Sequence, residues 1–133
     1  MTERWRLHGG SMRPLGPGWE AEVDASEAGK SSLGPGDLVC YLGLQGQAIV
    51  HRLHAVEGAW LLVQGDTAGP EPPLPRSAIL GRVSALSWRG VRLPLPAQGP
   101  AAPLLRRCGL LWAGVAPVIQ RAWARNVRKR SNV

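Results

Sequence analysis

Glycine and proline recur along this chain too often for long helices to fill it. Seventeen glycines and twelve prolines stand among 133 residues without a collagen-like period, which leaves room for short strands joined by turns. The stretches between them are apolar or alternating: residues 38–44 (LVCYLGL), 48–56 (AIVHRLHAV) and 59–64 (AWLLVQ), separated by QGQ and EG and fed by the turn cluster SSLGPGDL. That spacing predicts hairpin turns and a three-stranded antiparallel meander. Four prolines within residues 65–75 remove backbone donors and fix φ, so this span is expected to be a loop. A further strand pair is predicted over residues 78–88 and 91–95 around Arg89-Gly90, whereas residues 15–30 read as mixed and punctuated.

Charge divides the chain unevenly. Up to Glu71 there are five basic and nine acidic residues, a balance of −4; beyond it there are eleven basic residues and no acidic one. A split of this kind marks a basic surface or tail suited to anionic lipid, nucleic acid or an acidic partner, or a solvated basic tail. The two cysteines, Cys40 and Cys108, lie far apart and match no metal-ligand spacing, so neither a zinc site nor a disulfide framework is indicated and no cofactor is implied. The first fifteen residues carry Glu3, Arg4, Arg6, His8 and Arg13 and no apolar core. No secretory signal or N-terminal anchor is therefore expected, and a cytoplasmic chain, peripheral at the membrane or not, is the expectation.

Beyond Pro103 the period changes. Leu104, Cys108, Leu111, Trp112, Val115, Ile119, Ala122 and Trp123 recur at helical spacing, with Arg106, Arg107, Arg121, Arg125 and Arg128 around them, which predicts a basic amphipathic helix. Its uncharged run, residues 108–120, is shorter than the ~20 residues that cross a bilayer, and Pro117 is expected to kink it. Two placements stay open: over residues 104–130 the helix lies on a membrane surface, or it packs on the domain.

The chemistry-bearing stretch is HGGSMRP, residues 8–14. A serine attacks a carbonyl only when a base takes its proton and donors stabilise the oxyanion. Lys30 lies in a Gly/Ser segment and Lys129 in the tail, neither in an apolar strand that would depress its pKa. Along AIVHRLHAV, side chains alternate faces: Ile49, His51, Leu53 and Ala55 share one, and Arg52 and His54 the other. His51, flanked by apolar neighbours, is the better general base, because burial favours the neutral imidazole. A carboxylate commonly orients such a base. Asp66 arrives at the end of the next strand in QGD, and Glu71 follows five residues later; taken alone, Asp66 is an ordinary turn residue and His51 an ordinary core histidine.

In combination these residues resemble a family. GGSMRP (Ser11, Met12, Pro14), GDLVCY (Gly36, Asp37), AIVHRL (His51, Arg52), VQGD (Gly65, Asp66) and ILGRV (Gly81, Arg82, Val83) are similar, in order and rough spacing over residues 7–83, to the signal peptidase I and LexA-like serine peptidase superfamily. Histidine rather than lysine at the base position resembles the archaeal and endoplasmic-reticulum type. The resemblance implies a mainly β fold of the signal peptidase and LexA-like antiparallel kind for a catalytic domain over residues 1–95; the residues themselves then read as a Pro/Gly linker over 96–103 and the basic amphipathic helix and tail over 104–133. It implies Ser11 as nucleophile, His51 as general base and Asp66 as the acidic third residue, matching the aspartate of the family's Gly-Asp-Asn box, with Glu71 as the alternative acid. Thr67 stands where that box has asparagine. Gly9, Gly10 and the Ser11 N–H would serve the oxyanion and the substrate backbone, and Met12 would anchor the substrate. The implied substrate is an extended leader- or signal-type peptide with small residues near the cleavage site, added as a β-strand. The contrasting expectation is a non-catalytic peptide-binding module whose basic helix meets lipid or nucleic acid, nucleic acid being the less expected partner of the peptidase.

Overall fold

The computed structural model describes residues 2–7, 12, 15–68, 71–97 and 101–131. In chain order its elements are β1 (Thr2–Arg6), β2 (Trp19–Asp24), α1 (Glu27–Ser31), β3 (Leu38–Leu42), β4 (Ala48–Glu57), β5 (Trp60–Gln64), β6 (Leu74–Pro75), a single 3-10 turn (Arg76–Ala78), β7 (Ile79–Trp88), β8 (Val91–Pro94) and α2 (Ala101–Ser131). The fold is mainly antiparallel β with one long C-terminal helix.

The expected meander is present as β3–β4–β5, and the expected hairpin as β7–β8. At the tip of that hairpin Arg89 and Gly90 have φ of 49° and 80°, the paired positive values that match a two-residue turn to the twist of its strands. The full sheet order is β1-β2-β7-β3-β4-β5-β6. β7 borders β2 along one edge; its other edge is divided, residues 79–82 pairing with β3 and residues 85–88 with β8. Register shifts interrupt β2 after Glu22, β3 after Cys40 and β4 after Leu53, and irregularities of this kind bend a strand and tighten the sheet's curl.

Residues 15–30, read from sequence as mixed, contain β2 and all but the last residue of α1, and β2 pairs with β1. β1 gave no strand signal because Thr2–Arg6 (TERWR) carries three charged residues, as suits an edge strand that must not recruit another chain. At the end of the proline-rich span Leu74 and Pro75 form β6 on the outer edge of β5. Proline is tolerated there because an edge strand has positions at which no N–H is required.

Both faces of the sheet's centre are covered. Leu38, Cys40, Val50, Val23 and Val83 pack with Leu7 and Met12 on one side, while Val39, Tyr41, Leu53, Leu61, Val63 and Ile79 form a second cluster. This is why LVC in β3 reads as a continuous apolar run rather than an alternation. Leu53, Leu61 and Val23 are fully buried, and each contributes roughly 1.5–3 kcal/mol by leaving water.

Helix α2 begins at Ala101, three residues before the expected start, with Pro103 in its first turn, where a missing N–H is tolerated. It continues as helix through Pro117. By length and composition alone, Ala101–Asn126 is long and apolar enough to cross a bilayer, more than its uncharged run suggested. One of its faces nevertheless packs on the domain: Ala102, Gly109 and Ala116 are buried, and Arg106 reaches Asp37, just before β3, through a two-pronged pair of 3.0 and 3.1 Å. Arg106 also donates to the Ser32 carbonyl at 2.9 Å. Gly36, at φ 98°, meets the backbone of Arg106 so closely that a Cβ there would overlap it.

Candidate active site

β4 presents two consecutive polar residues to opposite sides of the sheet. His51 lies across from Val39 in the pairing with β3, and Arg52 lies across from Leu38. Both are buried, so each must find a partner or remain uncharged.

His51 shares its face with Tyr41, two residues along β3 from Val39. Its Nδ1 is 2.6 Å from Glu71 Oε1 and 3.0 Å from the Tyr41 hydroxyl. The hydroxyl itself donates to Glu71 Oε2 at 2.8 Å, so the proton between Nδ1 and these oxygens belongs to the imidazole. Donation from Nδ1 fixes the tautomer with the lone pair on Nε2. The Tyr41 ring meets the imidazole edge-on, with centroids 5.8 Å apart. Burial holds the His51 pKa below its ordinary value, against the opposing pull of the Glu71 and Asp66 carboxylates. Burial, followed by the hydrogen bond to Glu71, raises that of Tyr41, which therefore stays a neutral donor.

Arg52 engages the other acid of the same connection. Its Nε and Nη2 donate to Asp66 Oδ1 and Oδ2 at 2.9 and 2.8 Å, and its Nη1 donates to the Gly36 carbonyl at 3.0 Å. Asp66 is only 1% exposed, and its backbone N–H donates to Met12 Sδ at 3.1 Å. Gly109 of α2 is packed against the Arg52 guanidinium. The helix, the arginine, the aspartate and Met12 thus form one chain of contacts.

A cleft of about 390 Å³ opens beside this cluster, with His51 and Glu71 in its wall together with Met12, Leu7, Leu15 and Ile49. Its surface is mostly apolar, and among the described residues that line it Glu71 and His51 are the groups able to move a proton. Of the two acids left open by sequence, Glu71 contacts His51; Asp66, placed first by its Gly-Asp context, is instead bound to Arg52. Met12 is buried in the cleft wall. Gly9, Gly10 and Ser11 lie outside the described residues. His54, the alternative histidine, is exposed, and Lys30 lies in α1.

Sequence reasoning missed Tyr41, and it quoted Arg52 and Asp37 in the motifs without giving either a role. Tyr41 was read as part of an apolar strand. Its signal was the one aromatic hydroxyl in LVCYL, but its place beside His51 depends on register. Among the described residues no group of three or more His, Cys, Asp or Glu side chains is arranged to hold a metal ion. Cys40 is buried and Cys108 exposed, both as free thiols. Chemically, the cluster can accept a proton at His51 Nε2 and stabilise the resulting imidazolium through Glu71. Comparisons of the chain with protein-family models, curated proteins and solved structures returned no match in any of the three.

Proposed function

We propose that the protein is a serine endopeptidase with Ser11 as nucleophile, His51 as general base and Glu71 as the carboxylate that orients the base. The observation that carries this reading is the 2.6 Å contact between His51 Nδ1 and Glu71 in the wall of a cleft that also contains Met12, the residue covalently next to Ser11. The order of the Ser-Met-Arg-Pro, Gly-Asp, Val-His-Arg and Gly-Asp stretches supports it, as does their resemblance to the signal peptidase and LexA-like peptidases.

In this mechanism the Ser11 oxygen bonds to the carbonyl carbon of an extended peptide while its proton passes to His51 Nε2. The tetrahedral oxyanion takes hydrogen bonds from backbone N–H groups, that of Ser11 among them. Collapse breaks the carbon–nitrogen bond as His51 returns the proton to the departing amine, leaving an ester on Ser11. Water, deprotonated by His51, then attacks the ester and restores Ser11. Gly9 and Gly10 would let the substrate backbone approach closely. The apolar cleft would take side chains flanking the scissile bond.

Leader-type peptides incubated with the purified chain, with products read by mass spectrometry, test the reading. Cleavage is expected, and Ser11→Ala and His51→Ala should each lower it by at least about a thousandfold. Lys30→Ala should leave it unchanged. Wild-type turnover by Ser11→Ala, or silencing by Lys30→Ala, would overturn the assignment.

A further inference from the structure

Among the described residues nothing covers the face of α2 turned away from the domain, although that face carries large apolar side chains. Leu104 is 64% exposed and Leu111 71%, and Val115, Val118, Ile119 and Trp123 are each about half exposed. At ~100° per residue, Leu104, Leu111, Val115 and Val118 point to one side, opposite the buried Ala102, Gly109 and Ala116. Arg107, Arg121 and Arg125 fall within about 40° of one another along one flank of that apolar side. No acidic residue follows Glu71 in the chain, so nothing within the helix neutralises this flank.

Three observations choose among the occupants of such a face. A bilayer-crossing arrangement would require the helix to stand clear of its domain. Ala102, Gly109 and Ala116 are buried against the domain and Arg106 is tied to Asp37, so the first half of the helix cannot enter hydrocarbon without the charged pairs beneath it. The part beyond Pro117 is too short and too basic to span alone. A second copy packed face to face and antiparallel would bring two arginine flanks together, and in either orientation neither helix has an acid to answer them. An anionic lipid surface answers both features: acyl chains accept the leucine and valine side, and headgroups accept the guanidinium groups, whose stems reach sideways to the interface.

We propose that α2 docks the protein in the plane of an anionic membrane, one face of the helix holding the domain and the opposite face inserted at the headgroup boundary. This attachment is independent of the peptidase reading, since it uses no residue of the cleft.

Vesicle flotation of the full chain tests it, comparing phosphatidylcholine alone with phosphatidylcholine containing about one quarter phosphatidylglycerol. The chain should float with the anionic vesicles, more weakly with the neutral ones, and less at high salt. Arg121→Gln with Arg125→Gln should lower partitioning roughly tenfold or more, at ~1 kcal/mol for each basic residue near the surface. Leu111→Glu with Val115→Glu should abolish flotation while leaving the unfolding transition in place, because both positions are exposed in the free protein. Cys108 is exposed and Cys40 buried, its thiol pushed up to about 12 by burial, so a thiol-reactive fluorophore reports from Cys108. Lipids brominated near the glycerol should quench it more than lipids brominated near the chain ends. The proposal fails if the chain does not float, if neither pair of substitutions weakens flotation, if the quenching order is reversed, or if the apolar face instead joins two copies that Leu111→Glu separates.

Discussion

Two carboxylates from the connection after β5 meet two consecutive residues of β4, and the meetings differ in kind. On one face Glu71 holds an imidazole, a base able to take and return a proton near neutral pH, at the wall of an open cleft. On the other, Asp66 holds a guanidinium that cannot release its proton, sealed under α2 and joined to Gly36. The geometry is similar, yet the first pair is suited to change its charge during a reaction and the second to keep it. One strand can thus carry a reactive group and its anchor side by side, because the side-chain period of two separates them by the thickness of the sheet.

The contrast breaks most visibly at Arg52. Arg52→Ala leaves the Asp66 carboxylate buried without its cation, and loss of one partner of a buried pair costs about 3–5 kcal/mol. Urea unfolding should show a midpoint shift of that size, a large share of the ~5–15 kcal/mol that holds a domain together. A shift below about 1 kcal/mol would mean that water reaches Asp66 and that the pair is no anchor.

Glu71→Gln should do the reverse. Its side chain is partly exposed, so unfolding should move by less than about 1 kcal/mol. Peptide cleavage should fall on the order of a hundredfold or more, because a carboxamide can donate to Nδ1 and select the wrong tautomer. The acid limb of the rate profile should also move to lower pH, since the carboxylate that favours the imidazolium is gone. An unmoved limb would separate Glu71 from the base.

The sheet's middle was readable because it follows local rules. Strand runs of alternating or continuous apolar residues, QGQ, EG and Arg89-Gly90 placed β3, β4, β5, β7 and β8 within a residue or two. The edge strands were not readable: β1 is charged, and Trp19–Asp24 alternates only when its neighbours β1 and β7 are known. In the site, the faces of His51 and Arg52 followed from the period of a strand. Which acid reached which face did not, because the path of the proline loop decides it and no periodicity describes that path. The Gly-Asp context pointed to Asp66 for its position after a strand, a feature shared equally by an acid that anchors an arginine. Tyr41 needed the β3–β4 register, with Tyr41 opposite Ile49 and Val39 opposite His51.

A smaller effect follows from the same imidazole. Burial sets the His51 pKa below its ordinary 6.5, so the folded chain binds this proton less readily than the unfolded one. Its contribution is then favourable to the fold above about pH 6.5 and lost as the pH falls toward the folded value. Urea midpoints should decline between pH 7 and pH 5, and His51→Asn should flatten that decline.

The finest distinction rests on Tyr41, whose hydroxyl touches both Glu71 and the His51 Nδ1. If it only fills space, Tyr41→Phe, which keeps the ring and its edge-on contact, should leave catalysis and its pH profile unchanged. If the hydroxyl holds the Glu71 carboxylate in line with the imidazole, the substitution removes one hydrogen bond worth about 1 kcal/mol. Cleavage should then slow by roughly fivefold, mostly in kcat, because a loosened carboxylate stabilises the imidazolium less well as it forms. A slower kcat with an acid limb that stays in place would separate positioning by Tyr41 from the charge supplied by Glu71, whose loss moves the limb, a difference that rate alone does not resolve.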